Sequence, residues 1–240
     1  MIRRFYEGNY HATLRVPGGT EKAFYDKFTG YRNWALQFIT RGRALDIGTA
    51  TGLFPSLLKE AGFDAEGLEI NEASARWGET QYGVRIRVGT LEASGFDRHS
   101  YDFISMTDVL EHMTHPLRFL LLVSEYLKPG GLVLVTFPDI NSVESRYLHL
   151  LAWMLRRHWI WSCCGIPAHI WEFTPATAQA MFHKAGFEVL GYRRWQPQEG
   201  PWAGILSVLR APIRLLNAPG IGRLLGTNMQ FMIRKRDARM

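Results

Sequence analysis

Five short β-rich runs, RALDI (43–47), DAEGL (64–68), VRIRV (84–88), YDFISM (101–106) and LVLVTF (132–137), are mostly separated by helical stretches. This alternation constrains the fold more than any other feature. Parallel strands cannot be joined by tight turns, and each needs a crossover that a helix supplies. It predicts an α/β fold with a doubly wound, mostly parallel sheet and helices on both faces. Local punctuation agrees: Pro55 falls in the first turn of the first crossover helix, where a missing N–H costs little, and Gly62 follows that helix as a C-terminal cap does. Thr174-Pro175 carries a helix-start signature and Gly186 ends the helix that follows. Two further runs, FEVLGYRRW (187–195) and MQFMIRKR (229–236), read as the closing strands. Residues 1–42 read as a helical cover, with Phe24, Phe28, Tyr31 and Trp34 at rough helical spacing.

A chain of 240 residues supports one domain with a small lid at most. Its 28 basic and 22 acidic side chains leave a net charge of +6, which favours anionic partners without naming one. Cys163 and Cys164 are sequence neighbours, a spacing that suits neither a disulfide framework nor a zinc site, so a cytoplasmic location is expected. The polar N-terminal stretch does not resemble a signal peptide, and no apolar run is long enough to predict a membrane span.

The stretch ALDIGTATG (44–52) is the first strand-to-helix turn, the place where doubly wound sheets bind ligands. Gly48 and Gly52 let the backbone turn tightly and come close to a ligand, and Ala50 is expected to do nearly the same at little cost. Asp46, at the strand end, can accept hydrogen bonds from a cationic amine or from N–H groups in the loop. A dinucleotide calls for G-x-G-x-x-G, and this chain offers Gly48, Ala50 and Leu53 at those positions, which argues against a nicotinamide or flavin enzyme. A nucleoside carrying an amino-acid tail fits better. Glu69 ends the second strand, where a carboxylate can accept from both ribose hydroxyls, and Ile70 follows to lie against a base.

Together LDIGTATG, GLEIN, VGTLEASGFDRHSYDFISMTDVLEHMTHP, YLKPGGLVLVTFP and AGFEVL resemble a class I S-adenosylmethionine-dependent methyltransferase. The branch they are most similar to contains the ubiquinone-biosynthesis O-methyltransferases and many methyltransferases of glycan and secondary-metabolite pathways. The resemblance covers residues 43–190 and implies a Rossmann-like seven-stranded sheet with S-adenosyl-L-methionine as cofactor. It places Asp46, Gly48, Ala50 and Gly52 around the methionine moiety, Glu69 at the ribose, Thr90 and Leu91 at the adenine edge, and Thr107 and Asp108 near the sulfonium. Two departures stand out: Ala50 replaces the usual middle glycine, and Thr90 replaces the usual Asp, which puts one adenine hydrogen bond in doubt. On this reading 43–139 is the cofactor-binding core, 140–173 and 200–227 are lid or substrate segments, and 174–199 with 228–240 complete a single domain.

Methyl transfer to a hydroxyl is helped by a base of near-neutral pKa, and TDVLEHMTHP places His112 just beyond the fourth strand. The same position equally suits a packing histidine. Asp108, Glu111 and His112 form D-x-x-E-H, and His169 returns in PAHIWEF. This resembles the E-x-x-E-H plus distant His pattern of magnesium-dependent O-methyltransferases, with Asp108 in place of Glu. The resemblance implies Mg²⁺ held by Asp108, Glu111, His112 and His169 and bound to the acceptor oxygen. The alternative is that Glu111 caps its helix while the histidines hydrogen-bond across a pocket. Glu111, His112 and His169 are the catalytic candidates.

Two aromatic, basic stretches remain: SRYLHLLAWMLRRHWIWSCCGIP (145–167), and GILSVLRAPIRLLNAPGIGRLLG (204–226). Arg146, Arg156 and Arg157 on an apolar surface suit a hydrophobic or lipid-linked acceptor, or peripheral membrane contact. A helical lid packed on the sheet edge is the plainer reading. Nucleic acid is not expected as a partner, because the arginines are scattered and no binding module is present. The expected function is O-methylation of a small apolar, quinol-type or lipid- or glycan-linked acceptor. The competing reading is a non-catalytic peripheral membrane or substrate-carrier protein with the same fold.

Overall fold

In the computed structural model, which describes residues 20–154, 169–195 and 226–236, α1 (Thr20–Ala35) precedes β1 (Gly42–Ile47), α2 (Leu53–Glu60) and β2 (Phe63–Glu69). There follow α3 (Glu72–Tyr82), β3 (Ile86–Val88), β4 (Tyr101–Thr107), a 3-10 turn (Leu110–His112), α4 (Pro116–Tyr126) and β5 (Leu127–Pro138). The chain closes with α5 (Val143–Met154), α6 (Pro175–Lys184), β6 (Phe187–Trp195) and β7 (Asn228–Lys235). The lid stretches 155–168 and 196–225, the cysteine pair and the first 19 residues lie outside the described residues.

The strands make one seven-stranded sheet in the order β3-β2-β1-β4-β5-β7-β6. It is parallel throughout except for β7, which runs antiparallel between β5 and β6. Strand order reverses between β1 and β4, which pair with Ile47 opposite Met106, so their carboxyl ends open on one edge. That reversal is where a doubly wound sheet leaves a crevice.

Alternation along each strand sorts the core onto the two faces. Leu45, Ile47, Ile104, Met106, Val133 and Val135 pack with Leu120 and Val123 of α4 and with Ala178 and Phe182 of α6. The intervening Ala44, Phe103, Leu132 and Leu134 pack with Tyr31, Trp34 and Ala35 of α1 and with Phe54 and Leu58 of α2. The aromatic stripe of the N-terminal segment is therefore the buried face of α1.

The helix boundaries follow the sequence signals. Gly62 (φ 97°) turns the chain after α2, and Thr174 accepts from the Thr177 N–H in a reciprocal capping box at α6. Two strands differ from the sequence reading by more than one residue at an end. β3 is cut to three residues at the sheet edge, where it has a single partner. β5 starts five residues early, because the chain pairs at Leu127, slips in register and pairs again from Leu132. Among the described residues no helix is long and apolar enough to cross a membrane.

Candidate functional site

The β1–α2 turn is built from left-handed residues: Gly48 (φ 71°), Ala50 (φ 53°) and Gly52 (φ 77°). Two are glycines, for which this conformation costs little. Ala50 is not, and its Cβ adds strain of about 1–2 kcal/mol. The expectation that alanine is nearly free at this position is therefore corrected: the backbone conformation demands a glycine, and an alanine is held there. Glu69 hydrogen-bonds to this turn. One carboxylate oxygen accepts from the Ala50 N–H at 2.8 Å and the other from the Asn71 N–H at 2.8 Å. Burial raises the Glu69 pKa, and these N–H groups oppose the rise. Gly48 and Thr49 donate to the Leu68 carbonyl, closing the turn onto β2.

Behind the turn, Gly78 of α3 lies so close to Thr51 that a Cβ on it would meet the Thr51 carbonyl oxygen at 2.1 Å. The sequence reading missed this glycine; a glycine inside a helical run was its only signal. Asp46 is buried and accepts from the Ser105 hydroxyl at 2.6 Å. Burial pushes its pKa up to about 7, with the Glu69 charge adding to the rise. Ile70 is exposed, 38%, beside this carboxylate pair. Thr90 is exposed as well, whereas Leu91 is buried and its carbonyl accepts from the Tyr126 hydroxyl.

Across the reversal point Thr107 ends β4, and Asp108 follows with a left-handed backbone (φ 58°). Asp108 accepts from the Lys27 ammonium at 2.7 Å and from the Thr136 hydroxyl at 3.1 Å. Lys27 and its neighbour Tyr31 come from α1 and were not singled out as site residues. The signal was there, because Lys27 is a charge on the otherwise aromatic face of that helix. Tyr31 is fully buried, and burial pushes its hydroxyl to about 12.

Glu111 lies in the 3-10 turn, with both carboxylate oxygens buried and lacking a hydrogen-bond partner among the described residues. It caps no helix there. Burial, and then the Asp108 charge, raise its pKa well above the usual carboxylate range. Its carbonyl accepts from the Ile170 and Trp171 N–H groups at 2.9 and 3.1 Å, which draws the distant segment in and sets His169 against His112. The two imidazoles meet edge to face, with ring centres 4.6 Å apart. Burial first, and His112 second, push His169 down to about 4. Ligand atoms of Glu111, His112 and His169 all lie within 4.8 Å of one another. Asp108 is not in that group. Ile140, Ser145, Trp171 and Phe173 line a pocket with Glu111 and His169.

Residues 21–191 match a family profile described as a methyltransferase domain. Two relatives are ubiquinone biosynthesis O-methyltransferases. That of Roseobacter denitrificans is 26% identical over 60% of this chain and 62% of its own, and that of Azorhizobium caulinodans 30% identical over 67% and 65%. The chain thus spans less than two thirds of the length of these relatives. Among solved structures, magnesium protoporphyrin IX methyltransferase from Synechocystis PCC 6803, with bound S-adenosylhomocysteine, superposes with a TM-score of 0.66 over 98% of both chains at 12% identity. That likeness concerns the fold. The profile covers well over half of the sequence, and the sheet order accords with it: the chain belongs to the class I S-adenosylmethionine-dependent methyltransferases, a family whose methyl donor is S-adenosyl-L-methionine.

Proposed function

We propose that the chain methylates a hydroxyl oxygen on a small apolar, quinol-type or lipid- or glycan-linked acceptor. The observation that carries this is Glu111, a buried carboxyl with no protein partner beside two imidazoles, on the edge where β1 and β4 end. The O-methyltransferase names of the two relatives support oxygen as the atom methylated.

The donor, when bound, supplies a methyl group on an electrophilic sulfonium. The residues fit it. The Gly48–Gly52 turn exposes backbone, Asp46 offers an acceptor to an ammonium group, and Glu69 offers lone pairs to ribose hydroxyls. Ile70 flanks the base, with Thr90 and Leu91 at its edge and Thr107 and Asp108 toward the reacting end.

In-line displacement asks the protein for alignment and for removal of one proton. Glu111, raised by burial, is a stronger base than an ordinary carboxylate and takes the acceptor's proton. His169, held near 4, stays neutral at pH 7 and donates its ring N–H to the acceptor oxygen, which orients the hydroxyl toward Glu111. His112 is the other candidate base. Ile140, Trp171 and Phe173 give the pocket apolar walls that suit an apolar acceptor.

The clustering of Glu111, His112 and His169 favours a second reading, a metal site. With Asp108 engaged by Lys27, one carboxylate and two imidazoles remain. That donor set suits a first-row transition ion and does not suit Mg²⁺, which takes oxygen ligands.

Calorimetric titration with S-adenosylhomocysteine, with NADH as control, tests the donor half; micromolar binding of the former alone is expected. Turnover is then screened on phenolic and sugar hydroxyls with and without excess chelator. Methylation that survives chelation removes the metal reading, and a methylated nitrogen or carbon product overturns the oxygen assignment.

A further inference from the structure

One stripe of α5 is turned inside out. Val143, Arg146, Leu150, Trp153 and Met154 recur at helical spacing and all face solvent, Trp153 by 68% and Leu150 by 53%, while Ser145 is buried. A surface helix ordinarily shows water its polar face. Ile170 and Trp171 are exposed too, and they are fixed to the Glu111 carbonyl through their N–H groups. Ser145 of α5 and Trp171 both line the Glu111 pocket, so the exposed apolar side chains belong to the two elements that frame its mouth.

We infer that this surface docks on an anionic lipid bilayer and that the acceptor reaches Glu111 from that side; the inference rests on the apolar or lipid-linked acceptor proposed above. Trp suits the headgroup layer because its body is apolar and its N–H is polar. Arg146, on the same stripe, extends an apolar stem and keeps its guanidinium at the phosphates. Charge complementarity selects anionic lipid over a neutral surface. The stripe carries an arginine and no acid, and the whole chain carries +6. Contact is peripheral, since no described helix can span a membrane.

The test is flotation of the full chain with vesicles of phosphatidylcholine alone and with about 30 mol% phosphatidylglycerol added. Wild type is expected on the anionic vesicles, with binding that weakens as salt rises. Leu150→Ser combined with Trp153→Ser should lower binding by about tenfold or more, and Arg146→Glu should lower it on anionic vesicles only. These side chains are exposed, so S-adenosylhomocysteine affinity should stay at the wild-type value and report that the variants are folded. Absence of wild-type binding overturns the inference, as does binding that the double serine variant retains. Self-association that the serines abolish, without vesicle binding, also overturns it and assigns the stripe to a second copy of the chain. Methylation of a water-soluble phenol is measured in parallel. Its failure would count against the methyl-transfer reading alone, because the vesicle result does not depend on it.

Discussion

The two carboxylates at the β1–β2 end of the site and the one beyond β4 are all buried or nearly so, yet they are treated oppositely by the fold. Glu69 accepts two backbone N–H groups and Asp46 accepts a hydroxyl. Glu111 accepts nothing among the described residues. Leaving a buried polar group unpaired costs about 1–3 kcal/mol, so the chain retains a cost at one end that it avoids at the other. One end is completed by folding; on the proposed reading, the other is completed by what binds there. Such a split is expected of an enzyme whose donor is constant and whose acceptor brings its own hydrogen bonds.

Replacing Glu111 breaks the comparison most severely. Glu111→Gln keeps the shape and removes the base, and it should cut turnover by about 10²–10⁴-fold. S-adenosylhomocysteine affinity should stay within about twofold of wild type, because no donor-holding residue has changed. Glu111→Leu should also raise unfolding free energy by about 1–3 kcal/mol, as expected when an unpaired buried carboxyl is removed. Urea titration and initial rates measure both. Turnover retained in the glutamine variant would move the base to His112.

Asp46 sharpens the contrast by pH. Its pKa is about 7 in the folded chain, against an ordinary value of 3.8. Between those values the native state holds a proton that the unfolded state has lost, so stability falls as pH rises through this window and levels off above it. A shift of this size corresponds to roughly 4 kcal/mol. Asp46→Asn should therefore match wild type near pH 4 and gain on it steadily up to pH 7, read as the difference in urea midpoints. An ammonium-bearing donor needs the charged form, so wild-type affinity for S-adenosylhomocysteine should drop below pH 7 while that of Asp46→Asn stays flat.

How much of this was legible in the sequence depends on range. The strands, the left-handed turn and Glu69 at a strand end are local signals, carried by glycine placement and periodicity, and the structure has them where the residues suggested. Contacts between distant segments were less accessible. D-x-x-E-H suggested four groups converging, but Lys27, 81 residues before Asp108, takes one of them out of the cluster. The local sequence marks Lys27 as a charge on an aromatic helix face, but it does not say that this ammonium meets the end of β4. The cost at Ala50 was also invisible, because a side chain's identity does not reveal the φ imposed on it.

Glu69→Ala is a smaller perturbation, since the β2 strand that carries Glu69 is paired on both sides. It removes the acceptors for the Ala50 and Asn71 N–H groups and, on the proposed reading, for the ribose hydroxyls of a bound donor. Affinity for S-adenosylhomocysteine should weaken by about 1–3 kcal/mol, with some loss of stability. Unchanged affinity would take Glu69 out of the site and leave it a role in holding the turn.

Ala50→Gly gives the finest test, because it separates the two tasks proposed for Glu69, bracing the turn and meeting the donor. Glycine relieves left-handed strain of about 1–2 kcal/mol and gives back part of it as unfolded-chain entropy, leaving a net gain of up to about 1 kcal/mol. The Ala50 N–H bond to Glu69 is a backbone bond and survives the change. If the fold alone holds the turn in shape, the glycine variant should be slightly more stable and bind S-adenosylhomocysteine as wild type does. If instead Glu69 clamps a turn that would otherwise relax, the gain should shrink in the Glu69→Ala background, where the alanine relaxes on its own and little strain is left for glycine to relieve. A thermodynamic cycle over the four proteins reads that coupling. A cycle that closes to zero would mean that the turn is set by Gly48, Gly52 and the close approach of Gly78, with the carboxylate left for the ligand.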